Sequence, residues 1–275
     1  MDSKCIFLDI DGTLVDYNDT VPESTLIALK RAQEKGHRLI IASGRADYMI
    51  NPKLLSDIRF DGVIASGGTH VLCDGKTIYE SIFSEEDVKF VSAYFRRLGL
   101  HYLLYGRDHL LAAPNFWSET VERMLRAGYS KKAINGAYGG AVTVENLAVQ
   151  TGIRKLAYFF AQKTIAEISA DLDGRFYVTD YSVGKTASDF FYGEMNLAGV
   201  NKASAIEIYM KHIGAPLSDS IAFGDSGNDL EMIRFAHTGV AMGNATDVIK
   251  ANADYVTRNV DDNGIYHAFE HLGLI

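Results

Sequence analysis

Short, mostly apolar runs recur near both ends of the chain. They lie at Cys5–Leu8, Leu39–Ala42 and Val63–Ala65 on one side, and at Ile221–Phe223, Val240–Met242 and Tyr255–Thr257 on the other. Runs of this length without polar alternation predict strands buried on both faces, the pattern of a parallel sheet covered by helices. Between the first two runs, Glu23 to Lys35 sets Leu26, Ile27, Leu29 and Ala32 on one helical face, with Pro22 near its start and Gly36 beyond its end. Strand, helix and strand make a βαβ unit. Ala203 to Ile213 repeats the helical spacing with Ile206, Tyr209, Met210 and Ile213.

The middle of the chain follows another pattern. Alternating, aromatic-rich stretches such as "HYLLYGRDHLLAA" (101–113), "RKLAYFFA" (154–161) and "GRFYVTD" (174–180) are separated by helical spacings. That predicts an α+β insertion built on an antiparallel sheet. The expected organisation is an α/β core formed by residues 1–83 and 193–275, interrupted by a second domain over 84–192. No repeat of fixed period and no low-complexity segment occurs. Tyr102, Tyr105, Phe159 and Phe160 are expected in the core of the insertion, and Trp117 has no evident place.

Composition narrows the function classes. A chain of 275 residues, 47% apolar and 23% charged, is long enough for a substantial globular core. Its 27 basic and 35 acidic residues give a formal charge of −8, and no Lys/Arg run is present, which argues against nucleic-acid or anionic-membrane partners. Cys5 and Cys73 both sit in apolar contexts and read as buried free thiols of a reducing compartment. The first strand begins within four residues, leaving no room for a signal peptide, and no apolar stretch approaches the ~20 residues of a membrane span. The expectation is a cytoplasmic protein, monomer or dimer. The sequons at Asn18 and Asn244 carry no weight in that setting.

Each predicted core strand runs directly into small or polar residues: Asp9-Ile10-Asp11-Gly12, Ser43-Gly44-Arg45, Ser66-Gly67-Gly68, Gly224-Asp225-Ser226-Gly227-Asn228-Asp229 and Gly243-Asn244. In an open parallel sheet these segments line the carboxyl rim, where such folds bind ligands. By the period of two, Asp9 and Asp11 share a side. With Asp225 and Asp229 they would bring four carboxylates together, and a bound cation resolves that repulsion most cheaply. Oxygen donors alone suit Mg²⁺. Ser43, the Gly44 backbone N–H and Lys202 at the entrance of a helix would then hold an anion such as phosphate. Phosphoryl transfer rests on such positioning and charge neutralisation.

These residues resemble the haloacid dehalogenase (HAD) superfamily of Mg²⁺-dependent phosphatases, and within it the Cof-like branch. Its four signatures occur in order as "DIDGTLV" (9–15), "ASGR" (42–45), "NKASAI" (201–206) and "GDSGNDLEM" (224–232), with supporting "AMGNA" (241–245) and "DDNGI" (261–265). The insertion falls between the second and third, as in members with a type 2 cap. The resemblance implies a Rossmann-like core with an α+β cap that closes over the site, and a small phosphomonoester as substrate. It implies Asp9 as the nucleophile that becomes aspartyl-phosphate and Asp11 as general acid and base. It further implies Ser43, Gly44, Lys202 and Asn228 around the phosphate, and Mg²⁺ held by Asp9, the Asp11 backbone carbonyl and Asp225 with support from Asp229. Two positions depart from the pattern: Gly67 stands where an asparagine is usual, and Ala203 where a glycine follows the lysine.

Taken singly, each signal has an ordinary reading. Asp9-x-Asp11-Gly12 alone is a turn, Lys202 alone a solvated cation, and Asp225 or Asp229 a helix cap. Two glycine-lysine-threonine triplets, at 75–77 and 184–186, lack the upstream glycine of a phosphate-binding loop, because His70 and Thr179 occupy that place. His267, Glu270 and His271 share helical ligand spacing but read as surface residues. A sugar-phosphate mutase and a non-catalytic phosphometabolite-binding protein stand as alternatives built on the same pocket. Dehalogenation is disfavoured, since those relatives do not need the second aspartate.

Overall fold

A computed structural model describes residues 3–16, 20–51, 58–180 and 191–275. The chain divides into two compact units, Met1–Glu80 with Val200–Ile275, and Ser81–Gly199. The first unit begins with β1 (Cys5–Leu8), α1 (Glu23–Glu34), β2 (Arg38–Ala42) and β3 (Gly62–Ala65). These three strands are parallel, in the order β1-β2-β3. A hairpin of β4 (His70–Cys73) and β5 (Lys76–Glu80) then extends the same sheet antiparallel to β3. Asp74 (φ 48°) and Gly75 (φ 75°) form its turn, the left-handed pair that a two-residue hairpin requires. The triplet at 75–77 is therefore hairpin, not a phosphate loop. The hairpin adds two antiparallel strands to the edge of the expected parallel core sheet. The triplet at 184–186 and Asn18 lie outside the described residues.

The second unit contains α2 (Glu85–Arg97), β6 (His101–Tyr105), β7 (Leu110–Ala112), α3 (Val121–Arg126), α4 (Lys131–Tyr138), β8 (Val142–Thr143), β9 (Lys155–Ala161), α5 (Ile165–Asp171), β10 (Phe176–Asp180) and β11 (Phe191–Leu197). Its sheet runs β10-β11-β9-β6-β7-β8, antiparallel except between β7 and β8. Ser84 caps α2 by accepting from the Asp87 N–H, three acidic residues fill the first turn and Arg96 and Arg97 the last, each matched to the helix dipole. α2 and α5 pack Val88, Val91, Phe95 and Ile168 onto Leu104, Leu156 and Tyr158. Phe159 and Tyr105 are buried, Tyr102 packs at the edge of this cluster, and Trp117 lies edge-on to Phe116 at 5.4 Å.

The unit boundaries fall at 80/81 and 199/200, against 83/84 and 192/193 expected from sequence. Phe83 stacks on Phe176 at 5.5 Å, and β11 pairs with both β10 and β9, so both edges of the insertion are tied into its own sheet.

The chain returns to the first unit with α6 (Lys202–Ile213), β12 (Ser220–Gly224), α7 (Leu230–Phe235), β13 (Thr238–Ala241), α8 (Asp247–Lys250), β14 (Tyr255–Val256) and α9 (Gly264–His271). The full sheet order is β14-β13-β12-β1-β2-β3-β4-β5. Ile6 and Leu8 of β1 face α1 and α9, whereas Cys5 and Phe7 face α6 and α7. That two-sided burial explains a strand without a polar residue. It also places the ends of β1, β2, β3, β12 and β13 along one rim. Both cysteines are free and buried. No helix among the described residues is long and apolar enough to cross a membrane. On α9, His271 stacks on Tyr255 at 4.1 Å, and His267 lies 3.9 Å from Glu270.

Candidate active site

The site is built where β1 and β12 end. The Asp9 N–H continues the ladder by donating to the Phe223 carbonyl at 3.1 Å, which keeps Asp9 inside the sheet edge. The chain then turns sharply, with the N–H groups of Leu14 and Val15 both donating to the Ile10 carbonyl. Buried Ile10, Leu14 and Val15 plant this loop in the core, and Gly12 (φ 84°) permits the turn. A Cβ on Gly12 would come within 2.5 Å of Asp225 Oδ2, so the backbone must pass bare against that carboxylate.

Asp9, Asp225 and Asp229 are all buried, and one oxygen of each lies within 4.8 Å of the others. Lys202, 1% exposed, is the first residue of α6, whose N-cap Asn201 exchanges hydrogen bonds with Ser204. Its ammonium donates to Asp9 Oδ1 at 2.7 Å and Asp229 Oδ1 at 2.6 Å. The other oxygen of Asp229 accepts from the backbone N–H groups of Asp225 and Ser226, both at 3.0 Å. Asp229 is thus a fixed post that orients both the lysine and the loop after β12. Thr13 Oγ1 donates to Asp225 Oδ1 at 3.3 Å, and Ser226 Oγ donates to Asn228 Oδ1 at 2.7 Å.

Electrostatics follow from one ammonium set among three carboxylates. Burial first, then the charge of Asp229, pushes the Asp9 pKa up to about 7 against the pull of Lys202. Burial, Asp229 and Asp9 push Asp225 up to about 9. Burial alone would depress Lys202, but Asp229 and Asp9 override it and raise its pKa. The cluster offers only hard oxygen donors and carries more negative charge than Lys202 neutralises, which fits a divalent cation such as Mg²⁺.

The fourth carboxylate is a correction. Asp11 was expected to converge with the other three, but its side chain is 56% exposed and stands outside the cluster. The period-two argument fails there because β1 ends at Leu8 and the chain turns before Asp11. Its two oxygens accept instead from Arg45, Oδ2 from Nε at 2.9 Å and Oδ1 from Nη2 at 2.5 Å. Ser43 is buried at the end of β2 and accepts from the Arg45 N–H at 3.1 Å, with partly exposed Gly44 beside it. After β3, Ser66 (φ 51°), Gly67 (φ 67°) and Gly68 (φ 104°) form a left-handed turn. A Cβ on Gly68 would collide with the Asn201 carbonyl, so this loop lies directly against the start of α6.

Arg45, Asn244, Thr13 and Asn201 all lie within the signature stretches, but the sequence pattern assigns none of them a part. Asn244 donates to the Gly12 carbonyl at 2.8 Å and accepts from the Val260 N–H at 2.9 Å, tying the Asp9 loop to the loops that follow β13 and β14. An asparagine between two backbone segments gives no periodic signal. Asn201 three residues before a serine, directly ahead of an apolar-periodic helix, was a legible cap.

The model of the haloacid dehalogenase-like hydrolase family matches residues 6–269. The 5-amino-6-(5-phospho-D-ribitylamino)uracil phosphatase YcsE of Bacillus subtilis is 26% identical over 275 residues, covering 100% of this chain and 97% of the relative. The pyridoxal phosphate phosphatase YbhA of Escherichia coli is 25% identical, covering 99% and 100%. Among solved structures, the HAD subclass IIB sugar phosphatase BT4131 superposes with a TM-score of 0.81 at 29% identity, covering 99% and 100%. With its signature residues at one rim and nearly its whole length matched, the chain belongs to the haloacid dehalogenase-like hydrolases, in their Cof-like branch.

Proposed function

We propose that the protein is a Mg²⁺-dependent phosphatase that hydrolyses small phosphomonoesters, sugar phosphates or phosphorylated cofactors, through an aspartyl-phosphate on Asp9. The observation that carries this reading is the buried trio Asp9, Asp225 and Asp229 opposed by the one ammonium of Lys202. The phosphatase names of its relatives support it further.

Asp9 attacks phosphorus with the carboxylate oxygen, forming a P–O bond to Asp9 as the ester P–O bond breaks. Asp11 gives a proton to the departing alkoxide. It then takes one from the water that attacks the aspartyl-phosphate, so inorganic phosphate leaves and both aspartates return to their starting states. Lys202, Ser43, the Gly44 backbone and Asn228 hold the phosphate oxygens. Asp9, the Asp11 backbone carbonyl and Asp225, supported by Asp229, would hold Mg²⁺, whose charge would neutralise the phosphoryl oxygens. Two free buried thiols suit a cytoplasmic enzyme.

The test is phosphate release from p-nitrophenyl phosphate and a panel of sugar and cofactor phosphates, with and without Mg²⁺. Asp9→Asn is expected to abolish release. Interconversion of two isomeric sugar phosphates without release would make the protein a mutase. A folded wild type that binds phosphate esters and turns none over would make it a binding protein.

A further inference from the structure

We propose that Arg45 is the positioning residue for Asp11, a reading that rests on the acid–base part proposed for Asp11 above. The carboxylate concerned stands outside the buried trio, and both of its oxygens are gripped by the guanidinium fork, at 2.9 and 2.5 Å.

Three observations bear on it. The pair is too exposed to be there for stability, with side chains 27% and 56% accessible, and such pairs contribute little to folding. The Arg45 backbone is itself held on both sides: its N–H donates to buried Ser43 Oγ at 3.1 Å, and its carbonyl accepts from the N–H of buried Ser66 at 2.7 Å. The fork therefore reaches Asp11 from a base set by the ends of β2 and β3. Finally, a planar fork fixes a carboxylate plane, which a lysine cannot do, while the outer lone pairs of both oxygens stay open for proton transfer.

An exposed aspartate on a turn samples several rotamers. Held by the fork, it presents one, at a constant distance from the end of β1. Arg45 acts through Asp11 and not on phosphorus, so its contribution scales with how much the departing group needs a proton.

The experiment uses the full chain with Mg²⁺ and compares kcat/KM, which ends at departure of the leaving group, for two esters. Glycerol phosphate leaves as a basic alkoxide, whereas p-nitrophenyl phosphate leaves as a stable anion. Arg45→Ala is expected to lower kcat/KM for glycerol phosphate about 10–100-fold and for the aryl ester much less. Arg45→Lys, which keeps the charge without the fork, is expected to recover only part of the loss, and it carries the same comparison if the alanine variant does not fold. Calorimetric Mg²⁺ affinity should stay within about 2-fold of wild type, because Arg45 does not touch the trio. Equal losses on both esters would make Arg45 a phosphate contact, and no loss would make the pair a surface ornament; either overturns the inference. A wild type inactive on both esters overturns the phosphatase reading itself, and the inference falls with it.

Discussion

Each unit buries a lysine, and the two differ in the company they keep. In the second unit, Lys155 on β9 is 1% exposed in its side chain, pairs with Glu194 of β11 at 2.5 Å and lies over the Tyr105 ring at 4.1 Å. In the first, Lys202 is equally buried but meets two carboxylates, with a third beside them. The Lys155–Glu194 pair fastens β9 to β11. A cation outnumbered by carboxylates leaves charge for something else to neutralise, and protons on Asp9 and Asp225 or a divalent ion can do so.

The sharpest way to break this comparison is to remove each lysine. Lys202→Met should lower unfolding free energy by about 3–5 kcal/mol, since it strands buried carboxylates, and should abolish phosphate release. Lys155→Met should cost roughly 1–2 kcal/mol, because Glu194 at 16% exposure can turn toward water, with release per folded molecule kept. Denaturant titration and ester turnover check both, and equal effects would erase the distinction.

Next in size is the interplay of pH and metal. Asp9 and Asp225 hold protons more tightly folded than unfolded, so their stabilising contribution is greatest below the ordinary carboxylate value of 3.8. It is lost as pH rises through about 7 and then about 9. Without Mg²⁺ the melting temperature should decline across that window. Mg²⁺ at 100 times its Kd should add about 2.7 kcal/mol, a rise of roughly 5–10 °C, and its affinity should fall as pH drops below about 9 and more steeply below about 7, because it competes with protons on Asp225 and Asp9. Calorimetry in buffers of different ionisation enthalpy would count the released protons, and a pH-independent affinity would refute the excess-charge account.

The smallest effect is geometric. Gly12→Ala forces a Cβ against Asp225 and should weaken Mg²⁺ binding by about 10-fold, with Asp9 itself intact. A calorimetric Kd at the wild-type value would mean the loop is looser than its contacts imply.

What the sequence disclosed follows from these physics. The strand at Cys5–Leu8 was legible as an unbroken apolar run because both its faces are buried, and the helices over 23–35 and 203–213 because one-sided burial writes a period into the chain. Asp9, Asp225, Asp229 and Lys202 were legible because they fall at strand and helix ends that parallel topology brings to one rim. The β4–β5 hairpin is written in Asp74-Gly75 between apolar flanks, although the lysine that follows gives the same stretch the look of a phosphate loop. The direction of Asp11 was beyond pattern reading, because a turn of left-handed Gly12 decides it, and its grip by Arg45 depends on two loops 34 positions apart.

The placement of β1 between β2 and β12 governs how the molecule can be made. One flank of that strand finds its neighbour soon after synthesis, while the other waits for Ser220–Gly224, more than two hundred residues later. A ribosome therefore releases the inserted unit, whole and able to collapse on its own contacts, while the first strand still shows a bare, wholly apolar edge. Until the last fifth of the polypeptide emerges, that edge stays open to aggregation, and chaperone demand should concentrate there.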